Sequence, residues 1–419
     1  MTYHLQELLI DLGRKARDAN HVMFKVSSQR KNNALKRIGE VIWEKKPDIL
    51  NENCKDIADA DKRNISKSKR DRLLLTEGRL KDMIVGLEAI AKQEDPVGQV
   101  LDKWSRPSGI NIKKVSTPIG VIGIIYESRP NVTIDAGALC IKSGNSAILR
   151  PGSDSYFSSI SLHQCIKEGL ISSGLPENLI QIIPSKDREA VSELLQMTDY
   201  LDLIVPRGGK DLVKLVQKMA KVPVFAHLDG IVHTYVHSDA QPEMAKSVIL
   251  NSKLRRPGIC GALECLLINK EYFIKSGKTL VEFLLKSGVE IRGDQEIALI
   301  PGTLLAESND WGKEFLDKTL AVKVVDDLEE AISHIKKYGS NHTDSIITNN
   351  KRIAEAFFTE LDSAILMHNV STQFADGGEF GMGAEIGIGT GKLHARGPIG
   401  ANQLTSFKYL VQGEGVLRK

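Results

Sequence analysis

The chain has 419 residues, 42% hydrophobic and 26% charged, with a formal net charge of +3. That length suits two domains of roughly 150–200 residues each, and the composition excludes a disordered or fibrous chain. The small, dispersed charge, with no basic tract and no interleaved aromatics, gives no footing for nucleic acid or an anionic membrane.

The N-terminus MTYHLQELLIDLGRKARDAN sets acids and bases where a signal peptide needs an apolar core, and no run approaches the roughly 18 apolar residues of a membrane span. Cys54, Cys140, Cys165, Cys260 and Cys265 are odd in number and lack CxxC spacing, so neither a disulfide framework nor a zinc motif is expected. Thiols in a reducing, cytoplasmic setting fit better.

From residue 3 to about 90 the pattern is helical. Leu5, Leu8, Leu9 and Leu12 make one stripe, Leu35, Ile38, Val41 and Ile42 another, which Ser27 or Ser28 could cap. The β-branched run at 120–125 reads as a strand buried on both faces, and 110–115 as an edge or protruding strand. Helix is expected at 134–141, strand at 146–149, helix at 158–172, strand at 180–184, helix at 188–196, strand at 201–205 and helix at 211–220. This alternation predicts βαβ units and a mostly parallel sheet, which binds ligands at the carboxyl ends of its strands.

Two loops occupy such ends: LRPGS at 149–153, with Arg150 and Ser153, and VPRGGKD at 205–211, with Arg207, Gly208 and Gly209. Each sets an arginine and a glycine between a strand and a helix, where free N–H groups and the helix dipole favour a phosphate. A glycine turn with a surface cation explains each equally well. No GxGxxG or GxxxxGK[ST] fingerprint occurs in that context.

His233 and His237 are four apart, but alternation of Val232, Thr234 and Val236 makes this a strand, and the carboxylate of HExxH is missing. No metal site is expected. Further helices are expected at 273–285, 328–338 and 353–361, with strands at 289–292, 320–325, 345–348 and 363–368. The glycine-dense segment 374–398 reads as a loop of close backbone approaches, and the final TSFKYLVQGEGV as a strand that could join 110–115 in a protruding arm.

Cys260 stands between Gly258 and Gly261, after Arg255 and Arg256. A thiol on a glycine-flanked bend is open to substrate, and basic neighbours favour the nucleophilic thiolate. A lone cysteine is more often a small buried hydrophobe.

Taken together and in order, YESRPNVTIDA (126–136), KSGNSAILRPGSDS (142–155), RPGICGALECLL (256–267) and FADGGEFGMGAEIGIGTGKLHARGPIG (374–400) resemble the γ-glutamyl phosphate reductases, or glutamate-5-semialdehyde dehydrogenases. These form a proline-biosynthesis branch of the aldehyde dehydrogenase superfamily. The resemblance implies an aldehyde dehydrogenase-like α/β fold with two doubly wound parallel-sheet domains and a β-arm for oligomerisation. Residues 1–106 and 120–226 would bind cofactor, 227–397 would be catalytic, and 107–119 with 398–419 would form the arm.

Carried over by position, Cys260 matches the nucleophile. Asn131 matches the asparagine whose amide, with the cysteine's own N–H, makes the superfamily's oxyanion hole. Arg150 stands where a cofactor-binding lysine is usual, and Glu314 looks like the acid on the nicotinamide ribose. Ser153 replaces the glutamate with which NAD-preferring relatives hold the ribose; a serine would not repel a 2′-phosphate, so NADPH is expected. Arg256 and Arg129 are expected to meet the substrate carboxylate.

The family usually reads CNAxETLL, and here Gly261 and Cys265 replace the asparagine and the threonine. Where hydrolytic relatives carry a water-activating glutamate, this chain has PVFAHLDG with His227, which suits an acyl phosphate reductase that should not hydrolyse its thioester. The implied substrate is L-glutamyl 5-phosphate, the implied partners a second copy of the chain and, transiently, glutamate 5-kinase. A reductase of another acyl phosphate or thioester, or a non-catalytic nucleotide-binding protein of the same fold, remains as the alternative.

Overall fold

The computed structural model describes residues 2–226 and 229–418, the side chains of Thr2, Tyr3 and Ser68 excepted. Contacts divide the chain into two units, Met1–Ala226 with Gly381–Gly387 and Pro398–Lys419, and His227–Phe380 with Ile388–Gly397. Residues 381–387 thus group with the first unit, whereas the sequence reading placed all of 227–397 in the second.

The first unit opens with five helices: α1 (Thr2–Met23), α2 (Ser28–Glu44), α3 (Lys46–Lys62), α4 (Lys67–Leu73) and α5 (Glu77–Lys92). Ser27 caps α2 by accepting from the Arg30 N–H, and the stripe Leu35, Ile38, Val41 and Ile42 is buried as expected of an amphipathic helix. The arm strands β1 (Val100–Ser105) and β2 (Asn111–Pro118) follow.

The βαβ run then begins: β3 (Val121–Tyr126), α6 (Val132–Lys142), β4 (Ser146–Pro151), α7 (Tyr156–Ser172), β5 (Ile180–Ile182), α8 (Glu189–Leu194), β6 (Leu203–Arg207) and α9 (Lys210–Met219). Its strands pair in parallel in the order β5-β4-β3-β6. Every residue of β3 and β4 is buried, which is why both read as unbroken apolar runs.

The second unit carries β7 (Val232–Val236), α10 (Pro242–Leu254), β8 (Leu263–Asn269), α11 (Lys270–Tyr272), α12 (Lys278–Lys286), β9 (Glu290–Gly293), β10 (Leu304–Leu305), β11 (Thr319–Val325), α13 (Leu328–Tyr338), β12 (Thr343–Ile347), α14 (Lys351–Glu360) and β13 (Ile365–His368). Seven strands form one parallel sheet in the order β10-β9-β11-β8-β7-β12-β13. The one helix expected over 273–285 is instead α11 and α12 joined by a π-helical turn, Phe273–Gly277. Helix α10, which buries Ala245 and Ile249 four residues apart, has no counterpart in the sequence reading.

Two-residue strands β14 (Ile388–Gly389) and β15 (Gly397–Pro398) pair with each other. The last strand, β16 (Thr405–Gln412), runs antiparallel to β2 from Thr405↔Pro118 to Gln412↔Asn111. β1 flanks the other side of β2. The segment read as an edge or protruding strand is therefore the middle of a three-stranded sheet, and the missed β1 is one of its edges. β1 is exposed throughout and so hides the burial signal on which sequence reading depends. Among the described residues no helix is long and apolar enough to cross a membrane.

Candidate active site

In the second unit the thiol lies on the turn between α10 and β8, at the amino end of β8. Cys260 is half-buried, packed beside Ile365, Met367, Ala375 and Ile388. The Ala262 N–H closes the turn on the Ile259 carbonyl at 3.0 Å. From the other side, Thr372 Oγ1 donates to the Gly261 carbonyl at 2.8 Å, and Gln373 Nε2 donates to the carbonyls of Ser252 (2.9 Å) and Arg256 (3.3 Å). Carbonyls on a bend that no ladder uses are thereby satisfied, which holds the bend in one shape.

Gly230 explains the other wall. A Cβ at that position would lie 2.2 Å from the Cys260 carbonyl oxygen, so only glycine lets the backbones approach this closely. The Gly230 N–H in turn donates to Glu314 Oε1 at 2.9 Å. The structure therefore places Glu314 one residue's reach from the thiol-bearing turn. Arg256 is exposed at the turn's start, its carbonyl fixed by Gln373. His227 lies outside the described residues.

Two buried ions brace the turn from below. Lys253 Nζ, in α10, lies 2.7 Å from Glu264 Oε2, in β8, and both side chains are almost fully buried. Desolvation pushes Glu264 up to about 7 and Lys253 down, against their mutual attraction. The Leu316 N–H donates to Glu264 Oε1 at 3.1 Å.

In the first unit the carboxyl ends of β3, β4 and β6 bring together Arg129, Asn131, Arg150, Ser153, Arg207, Gly208 and Gly209. Asn131 stands at the N-terminal boundary of α6 without a side-chain capping bond, and its amide donates to Asp135 Oδ2 at 2.8 Å. The Ser128 backbone adopts φ 50°, and its N–H and hydroxyl both donate to the Asp154 carboxylate, which ties the loop after β3 to the loop after β4.

Arg150 differs from expectation. It is 5% exposed, and its guanidinium donates to the carbonyls of Pro151, Asp187 and Lys186, so it braces the loop from inside instead of presenting a cation at the surface. Arg129 Nη1 reaches the Glu127 carbonyl at 3.5 Å, while the Glu127 carboxylate accepts from the Gly209 N–H at 3.1 Å. Glu127, an exposed residue, thus sets its carboxylate at the head of α9, the position where a dipole favours negative charge. Arg207 stays half-buried, 3.9 Å from Glu385.

Sequence reasoning passed over Gln373, Thr372, Gly230 and Asp135. The available signal for the first two was the polar triplet Ser371–Gln373 just ahead of the glycine-rich segment.

Asp135 offers a check on this geometry. Desolvation pushes its carboxyl from 3.8 up to about 6, opposed by the Asn131 amide and by Arg207. A carboxyl that holds its proton more tightly when folded contributes stability below about pH 4, and loses it as pH rises through about 6. Asp135→Asn keeps the acceptor for Asn131 without the charge. It is expected to unfold at a higher temperature than wild type at pH 8, the difference closing at pH 4. Thermal unfolding at the two pH values measures it, and a gap that is equal at both would show that Asp135 does not titrate as described.

Comparison with known proteins follows this architecture. The aldehyde dehydrogenase family model matches residues 9–305, well over half of the chain. The γ-glutamyl phosphate reductase of Zymomonas mobilis is 50% identical, with 98% of this chain and 96% of the relative covered. That of Bartonella tribocorum is 52% identical over 97% of this chain and its own full length. The crystal structure of the Thermotoga maritima γ-glutamyl phosphate reductase superposes with a TM-score of 0.94 at 42% identity, covering 98% of this chain and all of the other. The chain belongs to the γ-glutamyl phosphate reductase family, within the aldehyde dehydrogenases, as its motifs anticipate.

Proposed function

We propose that this enzyme reduces L-glutamyl 5-phosphate to L-glutamate 5-semialdehyde with release of phosphate, the second step of proline synthesis from glutamate. The observation that carries the reading is the build of the Cys260 turn: one half-buried thiol on a bend whose backbone is fixed by Thr372, Gln373 and Gly230. The names of relatives about half identical over almost the whole chain support the substrate.

Cys260 Sγ attacks the acyl carbon, the carbon–oxygen bond to phosphate breaks, and phosphate leaves with the electron pair. Asn131 and backbone N–H groups donate to the developing oxyanion. Phosphate is a good leaving group at neutral pH, so no strong general acid is required. NADPH, when bound, supplies the hydride that reduces the thioester. The carbon–sulfur bond then breaks with its electron pair going to sulfur, the semialdehyde departs, and Cys260 is left as the thiolate that began the cycle.

Ser153, Arg207, Gly208 and Gly209 would hold the cofactor's phosphates, and Glu314 its nicotinamide ribose. The fit rests on chemistry present at the first two loops. Ser155 Oγ, at the head of α7, is buried without a hydrogen-bond partner, and Ser153 brings no negative charge against a 2′-phosphate. Arg150 supports this loop from beneath. Arg256 and Arg129 would meet the substrate carboxylate. The enzyme works in the cytoplasm, where its thiols stay reduced, and receives its labile substrate from glutamate 5-kinase. Trp104, Phe407, Tyr409, Leu410 and Val411 are exposed on the arm sheet, whose outer strands β1 and β16 are open edges of the kind that pair with a second copy.

Purified protein given L-glutamate 5-semialdehyde, phosphate and NADP⁺ should reduce the cofactor only when phosphate is present. Ser153→Glu should lower kcat/KM for NADP⁺ by roughly 10–100-fold and spare NAD⁺. The same preparation should scatter light as a particle heavier than the 46.1 kDa monomer. Phosphate-independent turnover would contradict the acyl phosphate reading, and equal losses with both cofactors would contradict the role of Ser153.

A further inference from the structure

Three strands of the second unit set a row of chemically unlike residues across one sheet. His233 on β7 pairs in register with Cys265 on β8 and with Asp344 on β12, so the three side chains leave the same face. Helix α13 adds His334 to that face. Its Nε2 lies 3.7 Å from Cys265 Sγ, and its ring centroid is 5.6 Å from that of His233. His233 is fully buried, Cys265 and His334 nearly so, and the rings of Trp311 and Tyr338 close over His334. Among the described residues this is the one group whose ligand atoms converge, all lying within 4.8 Å of one another.

The orientation of His233 is set from behind. Its Nδ1 lies 3.2 Å from the Ile231 carbonyl and 3.3 Å from Asp344 Oδ1, two acceptors, so this nitrogen donates and Nε2 is the one grouped with Cys265 Sγ and His334. Nε2 is buried and has no hydrogen-bond partner. Asp344 is itself fixed, its carboxylate accepting from the His233 N–H and from Ser363 Oγ. A carboxylate that fixes the far nitrogen of a histidine is the usual support of a metal-ligating imidazole.

We propose that His233 Nε2, Cys265 Sγ and His334 Nε2 form a buried binding site for one divalent cation of the Zn²⁺ class, with Asp344 as the residue that positions His233. Two imidazoles and a thiolate suit a borderline-soft ion. Zn–N bonds of about 2.0 Å and a Zn–S bond of about 2.3 Å put neighbouring ligand atoms roughly 3.5 Å apart, close to the observed separation of Cys265 and His334. Binding displaces the proton held between Cys265 Sγ and His233 Nε2. The dication's charge is then balanced by that thiolate and by Asp344, which favours a divalent over a monovalent ion in a core of low dielectric.

Cys265 stands where the family usually has a threonine, so a hydroxyl there would leave the site without its sulfur ligand. His237, the partner weighed for His233 in the sequence, instead bonds Asp239. The ion would cross-link β7, β8 and α13, and it touches none of the residues assigned to the reaction.

The test uses the full chain expressed in zinc-supplemented medium, so that the ion is available as the core closes, then exhaustively dialysed. Elemental analysis should find about one zinc per chain in wild type and in Cys260→Ser, and below about a tenth in Cys265→Val and His334→Phe. Asp344→Asn should weaken affinity by about 10–100-fold without abolishing it. Should the core variants not fold, wild type grown with Co²⁺ decides: a thiolate-to-cobalt absorption band is expected. Wild type without zinc and without that band overturns the proposal, as do zinc lost only with Cys260→Ser and retention of copper in place of zinc.

Discussion

Cys260→Ala is expected to lower turnover of the acyl phosphate by at least about 10⁴-fold, because no second group can take over the covalent step. The other thiols are badly placed for it. Cys265 is 1% exposed, and Cys140 and Cys165 are fully buried, each held at about 12 by desolvation and hence as thiols. Cys54 is exposed on α3, away from the turn in sequence and in its own unit. Wild type mixed with acyl phosphate in the absence of nicotinamide should carry an acyl group on the peptide containing residue 260, and the alanine variant should carry none, as mass spectrometry of the digest would read. An unmodified peptide in a preparation that still turns over would remove Cys260 from the mechanism. Residual activity in the variant above about one part in 10⁴ would do the same.

Much of this architecture was legible because the physics that builds it is local. Gly120 to Ile125 reads as a buried strand since both faces of β3 are covered, and the βαβ alternation from β3 to α9 follows from period and punctuation alone. Cys260 was legible because glycines flank it. What stayed hidden depends on contacts between residues distant in sequence. Nothing near Gln373 shows that its amide will hold carbonyls 117 and 121 residues away, and nothing at Gly230 shows that the Cys260 carbonyl will press on it. The bracing by Arg150 stayed hidden for the same reason: its position at the end of a strand is visible in sequence, but the carbonyls of Lys186 and Asp187 that claim its guanidinium are not. The exposed strand β1 escaped because without a buried face it has no alternation to read.

Lys253→Met should be the most damaging change outside the reacting atoms. It leaves the Glu264 carboxylate buried opposite a thioether, which costs about 3–5 kcal/mol, since removing one partner strands the other without compensation. The double variant Lys253→Met with Glu264→Gln should recover to within about 1–2 kcal/mol of wild type, because a glutamine oxygen can still accept from the Leu316 N–H and no charge remains to be stranded. The pH dependence has a fixed sign. Glu264 already titrates near 7 in the folded chain, above its ordinary value of 4.5, and loss of Lys253 moves it higher. The single variant's deficit should therefore shrink toward pH 6 and widen as pH rises through 7 and beyond. Urea unfolding at pH 6 and pH 8 of wild type, single and double variants gives all of these numbers. Activity should fall with the single change as well, by more than the unfolded fraction explains. Lys253 ends α10 and Glu264 begins β8, so their contact closes the span that carries Cys260. The Leu316 N–H, at a left-handed φ of 54°, links the same carboxylate to the segment in which Glu314 holds Gly230 against the turn. If single and double variants were equally unstable at both pH values, the pair would be contributing volume and not charge, and the turn would owe its shape to Thr372, Gln373 and Gly230 alone.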